Sequence, residues 1–212
     1  MDLYHLRESY SNEPLDENSV HPNPFDQFKH WFDEALNAEL PEPNAMILST
    51  VDFDNKPQSR AVLLKGLEKE NFIFFTNYNS QKGVEIENNP NVSLNFLWLE
   101  LERQIRINGK ATKINSEASD EYFYSRPIGS QIGAHVSNQS KAIANRQILE
   151  DKLVERTLFF ENKPITRPEN WGGYKVDPIS IEFWKGRPNR LHDRILYKKD
   201  KNNNWQITRL SP

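Results

Sequence analysis

The chain has 212 residues, a net charge of −3 and no cysteine, which excludes a disulfide framework and thiolate chemistry and leaves no global field that points to nucleic acid or an anionic membrane. Its hydrophobic fraction, 36%, is low, but aromatics at 11% each bury a large area, so one sizeable core is expected. The first twenty residues lack the apolar stretch of a signal peptide and no apolar run approaches the ~18 residues of a membrane span, so a cytoplasmic protein with neither membrane nor nucleic-acid partners is expected.

Residues 1–10 read as weakly helical, and "SNEPLDENSVHPNP" as an irregular tether. Residues 1–24 are therefore expected to form a mobile N-terminal segment, ahead of a single domain over 25–212. Phe25, Phe28, Phe32 and Leu36 fall at i, i+3, i+7 and i+11, the apolar face of a helix that "PEPN" ends. The period then changes to two: "AMILSTVDF", "RAVLLKGL" and "NFIFFTN" read as strands. In "VSLNFLWLE", Val92, Leu94, Phe96 and Trp98 share one face; in "RQIRINGKATKI", Ile105 and Ile107 lie opposite Gln104 and Arg106, and Asn108-Gly109 marks a turn or bulge. "SEASDEYFYSRP" and "NRQILEDKLVERTLFF" return to helical spacing, the latter with Leu149/Leu153 and Val154/Leu158 pairs. "SIEFWKG", "RLHDRILYKK" and "WQITRL" close the chain as strands. The fold class is α+β, an antiparallel barrel or sandwich with flanking helices.

No two of the eight glycines are separated by one residue, so a G-x-G-x-x-G loop is impossible, and no P-loop or G-x-S-x-G elbow occurs. The five histidines show no metal-ligand spacing, so no metal is expected. A bound phosphate must be held by side chains.

Five stretches could do so. In "SRAVLLK", Arg60 and Lys65 either clamp an anion or snorkel to solvent. In "FFTNYNSQKG", Thr76, Ser80 and Lys82 either ligate a phosphate at a helix start or Ser80 merely caps it. Gln104 and Arg106 either read a heteroaromatic edge or form a solvated face. Tyr122, Arg126 and Ser130, spaced by four, either converge on an anion or cap a helix end. Finally, in "RPNRLHDRILY", a strand would put Arg190, His192 and Arg194 on one face, beside Trp184. Such a row either guards an edge strand or lies under an anionic ligand.

Taken together, "RAVLLK", "FFTN", "LERQIRI", "YFYSRP…SQIGAHVSNQS", "WGGY", "IEFW" and "NRLHDR" resemble, in order and over about Leu6 to Pro212, the blocks of the pyridoxamine 5′-phosphate oxidase family. The resemblance implies an antiparallel, Greek-key-like FMN-binding split β-barrel, working as a homodimer with FMN at the subunit interface. It implies oxidation of pyridoxamine 5′-phosphate and pyridoxine 5′-phosphate to pyridoxal 5′-phosphate, with dioxygen reduced to hydrogen peroxide and ammonia released from the amine. A non-catalytic FMN- or pyridoxal-phosphate-binding split barrel is the alternative.

By the same resemblance, FMN is expected to meet Arg60, Ala61, Val62, Leu63, Leu64, Lys65, Phe75, Thr76, Gln81, Lys82, Gln104, Gln139, Ser140, Trp184 and Arg194. The substrate is expected to meet Lys65, Tyr122, Arg126, Ser130, Arg190, Leu191 and His192, with Arg190 and His192 as the catalytic pair over the pyridine ring. Arg7, Glu8, Ser9 and Tyr10 match a segment that folds over the substrate as a lid. Gln81 stands where many members carry arginine. A neutral amide there forgoes a charge-assisted bond of about 1–3 kcal/mol if nothing compensates, so weaker FMN binding is expected.

Overall fold

The computed structural model describes residues 2, 4, 10 and 13–212. The helix expected over the first ten residues, and Arg7, Glu8 and Ser9 of the expected lid, lie outside the described residues. Helix α1, Pro24–Asn37, opens on Asn23, whose side chain accepts from the Phe25 N–H at 2.8 Å. Its buried stripe is Phe25, Phe28, Trp31 and Ala35. Leu36, expected on that face, is 51% exposed, because a 3.6-residue period carries the stripe to residue 35 instead. The stretch before it is not uniformly loose. Leu15 and Val20 are buried in the same core, the Leu15 N–H donates to Asp193 at 3.0 Å, and the Tyr197 hydroxyl donates to the His21 carbonyl at 2.7 Å.

Nine strands follow: β1 Ala45–Val51, β2 Pro57–Leu63, β3 Gly66–Glu68, β4 Asn71–Asn77, β5 Asn91–Trp98, β6 Arg103–Lys113, β7 Trp171–Lys185, β8 Asp193–Lys199 and β9 Trp205–Arg209. They form one antiparallel sheet in the order β2-β1-β5-β6-β7-β4-β3, with β8 and β9 branching from β7. The outermost strands of that path, β2 and β3, are consecutive in the chain, with only Leu64 and Lys65 between them. Its two edges must therefore meet, and the sheet curls into a barrel. Val92, Leu94, Phe96 and Trp98 from β5, with Ile105 and Ile107 from β6, all point into the core, as strict alternation requires.

The barrel splits at β7. Its first half pairs β4 (Trp171–Val176) and its second half pairs β8 (Ser180–Lys185), while β6 follows both. Between the halves lie Pro178, which has no N–H to donate, and the β6 register shift at Asn108/Gly109. The sequence revealed only the second half of β7, because two glycines and a proline mask the first. Those glycines are there for close approach. A Cβ on Gly173 would sit 2.8 Å from Phe75 and clash with Ile114; one on Gly172 would lie 3.0 Å from Ser119 and clash with Tyr78. Gly173→Ala is expected to lower unfolding stability by about 1–3 kcal/mol in denaturant titration, the usual cost of overpacking.

Helices α2 Gln81–Asn88, α3 Ser116–Ser125, α4 Ile128–Val136 and α5 Gln147–Phe160 complete the chain. α4 was not legible as a helix. α5 was, but none of its residues is buried. The expected strand over "RLHDRILYKK" starts only at Asp193. Pro188–Arg190 form a 3₁₀ turn in which Asn189 (φ 59°) and Arg190 (φ 65°) are left-handed. Arg190, His192 and Arg194 therefore do not form one strand face. Among the described residues no helix is long and apolar enough to cross a membrane.

Candidate functional site

A cavity of about 600 Å³ opens where β2, the end of β4 and the start of β7 meet α3 and α4. β2 contributes Arg60, Ala61, Val62 and Leu63, and Lys65 follows it; β4 contributes Phe75 and Thr76. The first turn of α2 supplies Lys82. Tyr122 comes from α3, Arg126 caps that helix, and Ser130 lies in the first turn of α4, so the spacing of four does converge. Gln139 completes the expected residues present. Among the described residues four cations line this cavity and no carboxylate does.

Two of these cations are anomalous. Lys82 is buried, and its Nζ has only hydroxyl neighbours among the described residues, Thr76 at 3.3 Å and Ser80 at 3.4 Å. Burial, then repulsion from Arg60, holds its pKa below the usual lysine value against an opposing pull from the Glu85 carboxylate. Arg126 lies 4.5 Å over the Trp171 ring, and its Nη1 is sealed from solvent with no hydrogen-bond partner among the described residues. Burial lowers its pKa too, though a guanidinium stays charged. Desolvated cations with no carboxylate in direct contact are costly unless a ligand supplies the anion. Beside them Phe75 stacks on Tyr122 (3.9 Å between centroids) and on Trp171 (5.7 Å), a flat apolar wall. Ser80 does cap α2, accepting from the Gly83 N–H at 3.3 Å, and Thr76 donates to Gln139 at 3.3 Å.

Other expected residues do not reach this cavity. Leu64 points into the core, and Ser140 is exposed in a left-handed turn (φ 70°). Gln81 is exposed, and its amide donates to Glu85 at 2.8 Å, so it does not stand in for a cavity cation. Gln104, Trp184 and Arg194 form a second cluster, neighbours in register across β6, β7 and β8. His192 packs 4.6 Å from Trp184, and Tyr10, the described member of the expected lid, sits against both rings at 5.7 and 6.0 Å. The Arg187 N–H donates to His192 Nδ1 at 3.1 Å, which requires that nitrogen unprotonated. Burial and the nearby Arg190 charge likewise push the His192 pKa below its ordinary value, so the ring is neutral at pH 7 with its proton on Nε2. Arg190 and Leu191 are exposed. Arg194 already has an anion: its Nε donates to Glu182 at 2.8 Å, which raises its pKa. The arginines near the C-terminus are thus partly balanced by this carboxylate rather than by a ligand alone.

The two clusters lie at opposite ends of β7, Trp171 in one and Trp184 in the other, on the order of 40 Å of strand apart at ~3.3 Å per residue. Asn77, Gly133, Ala134, Ser137 and Trp171 also line the cavity and were not singled out from the sequence. They lie inside the blocks "FFTN", "SQIGAHVSNQS" and "WGGY", which carried the resemblance without marking these positions. Among the described residues no cluster of three His, Cys, Asp or Glu side chains could hold a metal.

Two family models match the chain: pyridoxamine 5′-phosphate oxidase over residues 32–159, and the pyridoxine 5′-phosphate oxidase C-terminal dimerisation region over 171–212. A pyridoxine/pyridoxamine 5′-phosphate oxidase of Nostoc sp. is 53% identical over 98% of this chain and 97% of its own. One from Burkholderia mallei is 54% identical over 99% of both. Among solved structures, PhzG from Burkholderia lata, in complex with tetrahydrophenazine-1-carboxylic acid, superposes with a TM-score of 0.89 at 27% identity, covering 97% of this chain and 100% of that one. A pyridoxamine 5′-phosphate oxidase-related, FMN-binding protein from Nostoc punctiforme shares the fold with a TM-score of 0.71 at 18% identity, over 92% of this chain and 99% of that one.

Proposed function

We propose that this chain, which belongs to the pyridoxamine 5′-phosphate oxidase family, oxidises pyridoxamine 5′-phosphate and pyridoxine 5′-phosphate to pyridoxal 5′-phosphate, with FMN as cofactor and dioxygen as the final acceptor. The amine reaction consumes one water and one dioxygen and releases ammonia and hydrogen peroxide; the alcohol reaction consumes dioxygen and releases peroxide alone. The observation that carries this reading is a cavity lined by no carboxylate among the described residues, with two desolvated cations on different elements, Lys82 and Arg126, neither of them in a salt bridge there. One suits each of two phosphates.

Arg60, Thr76, Lys82 and Gln139 would hold the FMN phosphate side. Lys65, Tyr122, Arg126 and Ser130 would hold the phosphate of the substrate, and the Phe75–Tyr122–Trp171 wall excludes water beside it. When bound, FMN supplies the two-electron acceptor for the hydride leaving C4′. The chain's own contribution is placement and field: cations fixed before the reaction, and a neutral His192 that offers an Nε2 proton as a hydrogen-bond donor. In a homodimer the second protomer would bring Gln104, Trp184, Arg190, His192 and Arg194 over this cavity. The match of residues 171–212 to a dimerisation region supports that assembly.

Purified protein reconstituted with FMN is expected to be yellow and to release peroxide with either phosphorylated substrate. Tight binding of pyridoxal phosphate without oxygen uptake would instead favour a carrier. The likeness to PhzG raises a tricyclic carboxylic acid as a competing substrate. The four donors Lys65, Tyr122, Arg126 and Ser130 suit the three oxygens of a phosphate better than a carboxylate. Faster turnover of the tricyclic acid than of pyridoxamine 5′-phosphate would overturn that preference.

A further inference from the structure

We infer that Glu85 is a positioning residue for Arg60: an internal anion that pins this guanidinium at the cavity wall and thereby sets the preference for a phosphorylated over an unphosphorylated flavin. The inference rests on the proposed flavin reading. Glu85 is on the buried face of α2, 2% exposed, and does not itself line the cavity. Its carboxylate is filled from three sides. Oε2 accepts from the Thr50 hydroxyl at 2.5 Å and from Arg60 Nη2 at 2.9 Å, and Oε1 accepts from the Gln81 amide at 2.8 Å. Arg60 Nη1 donates to the Thr50 oxygen and to the Leu48 carbonyl. Thr50, 1% exposed, thus accepts from Arg60 and donates its hydroxyl hydrogen bond to Glu85, closing a ring of three residues on three elements, β1, β2 and α2.

Arg60 has five N–H groups, and three bonds to the protein are accounted for, which leaves two for a ligand. Its side chain is 20% exposed and long enough to swing into solvent. The positive Lys82 nearby would favour that escape. The Glu85 anchor opposes it, and its rotamer entropy is lost before a ligand arrives rather than during binding. The ring also gives Gln81 a role other than a missing phosphate ligand. An arginine at 81 would put a second cation on the same carboxylate, in competition with Arg60. A neutral amide satisfies Oε1 without bringing a further cation onto Glu85, whose charge already acts on Arg60 and Lys82.

The test compares dissociation constants for FMN and riboflavin, read as quenching of flavin fluorescence by the apoprotein. Glu85→Gln, which keeps the shape, is expected to raise the FMN value about tenfold or more, as expected for a weakened charge-assisted bond, and to move riboflavin less than about twofold. Gln81→Met, at an exposed position where folding is not at risk, is expected to raise the FMN value about threefold with riboflavin unmoved. Equal weakening of both flavins in these variants would show a merely structural role, and an unchanged FMN constant would show none. Should Glu85→Gln fail to fold, Gln81→Met decides by the same criteria. A wild-type chain that binds neither flavin would overturn the proposed function itself, before any variant is compared.

Discussion

Arg126→Ala is expected to lower kcat/KM for pyridoxamine 5′-phosphate by on the order of a hundredfold, while the midpoint of thermal unfolding stays within about 3 °C of wild type. The two halves of this expectation have one cause. The Arg126 guanidinium is half-buried and over Trp171, with Nη1 lacking a partner among the described residues. Truncation forfeits a cation–π contact of about 0.5–2 kcal/mol but also removes a desolvated donor that was unsatisfied, so the folded state loses little. The substrate phosphate loses a charge-assisted bond at close range, which is expensive in a site shielded from water. Steady-state kinetics and a melting curve on the same preparation check both halves. A fall of about 10 °C with unchanged kinetics would recast Arg126 as a strut for the helix end.

The second large effect concerns mixed dimers. Arg126→Ala and Arg190→Ala homodimers are each expected to retain on the order of a hundredth of wild-type turnover, with FMN still bound. Co-refolding them in equal amounts should restore about a quarter of wild-type activity. Random pairing makes half of the dimers mixed, and in each mixed dimer one site draws an intact cavity from one protomer and an intact Arg190 from the other. If instead each protomer built its whole site alone, every site in the mixture would carry one lesion and no activity would return. The separation of the Trp171 and Trp184 clusters along β7, with no residue of the second cluster lining the cavity, motivates the experiment.

The sequence made most of the barrel legible because alternation is a local signal. Val92 to Trp98 and Ile105 to Ile107 point inward as their spacing demands. It failed where local chemistry masks a distant requirement. Gly172 and Gly173 carry no strand signal, yet they are strand residues stripped of side chains so that Tyr78, Ser119 and Phe75 can approach. Pro188 and the left-handed pair after it broke the strand that would have put Arg190 and His192 in line with Arg194. Cavity residues on β2, β4 and α3 were legible through their blocks. The buried Glu85 was not, since a glutamate in an amphipathic helix looks like any solvated one until Thr50 and Arg60 fold onto it.

β7 also acts as a ruler. In the proposed homodimer each protomer's β7 would begin in one site and end in the other, so the spacing between the two sites is counted out in residues of a single strand. Adding one residue between Val176 and Ile181 would turn every later side chain to the opposite face. Adding two would restore the faces but shift Trp184 by about 7 Å. The polar turn between β8 and β9, which lines neither site, can change length more freely than β7 can.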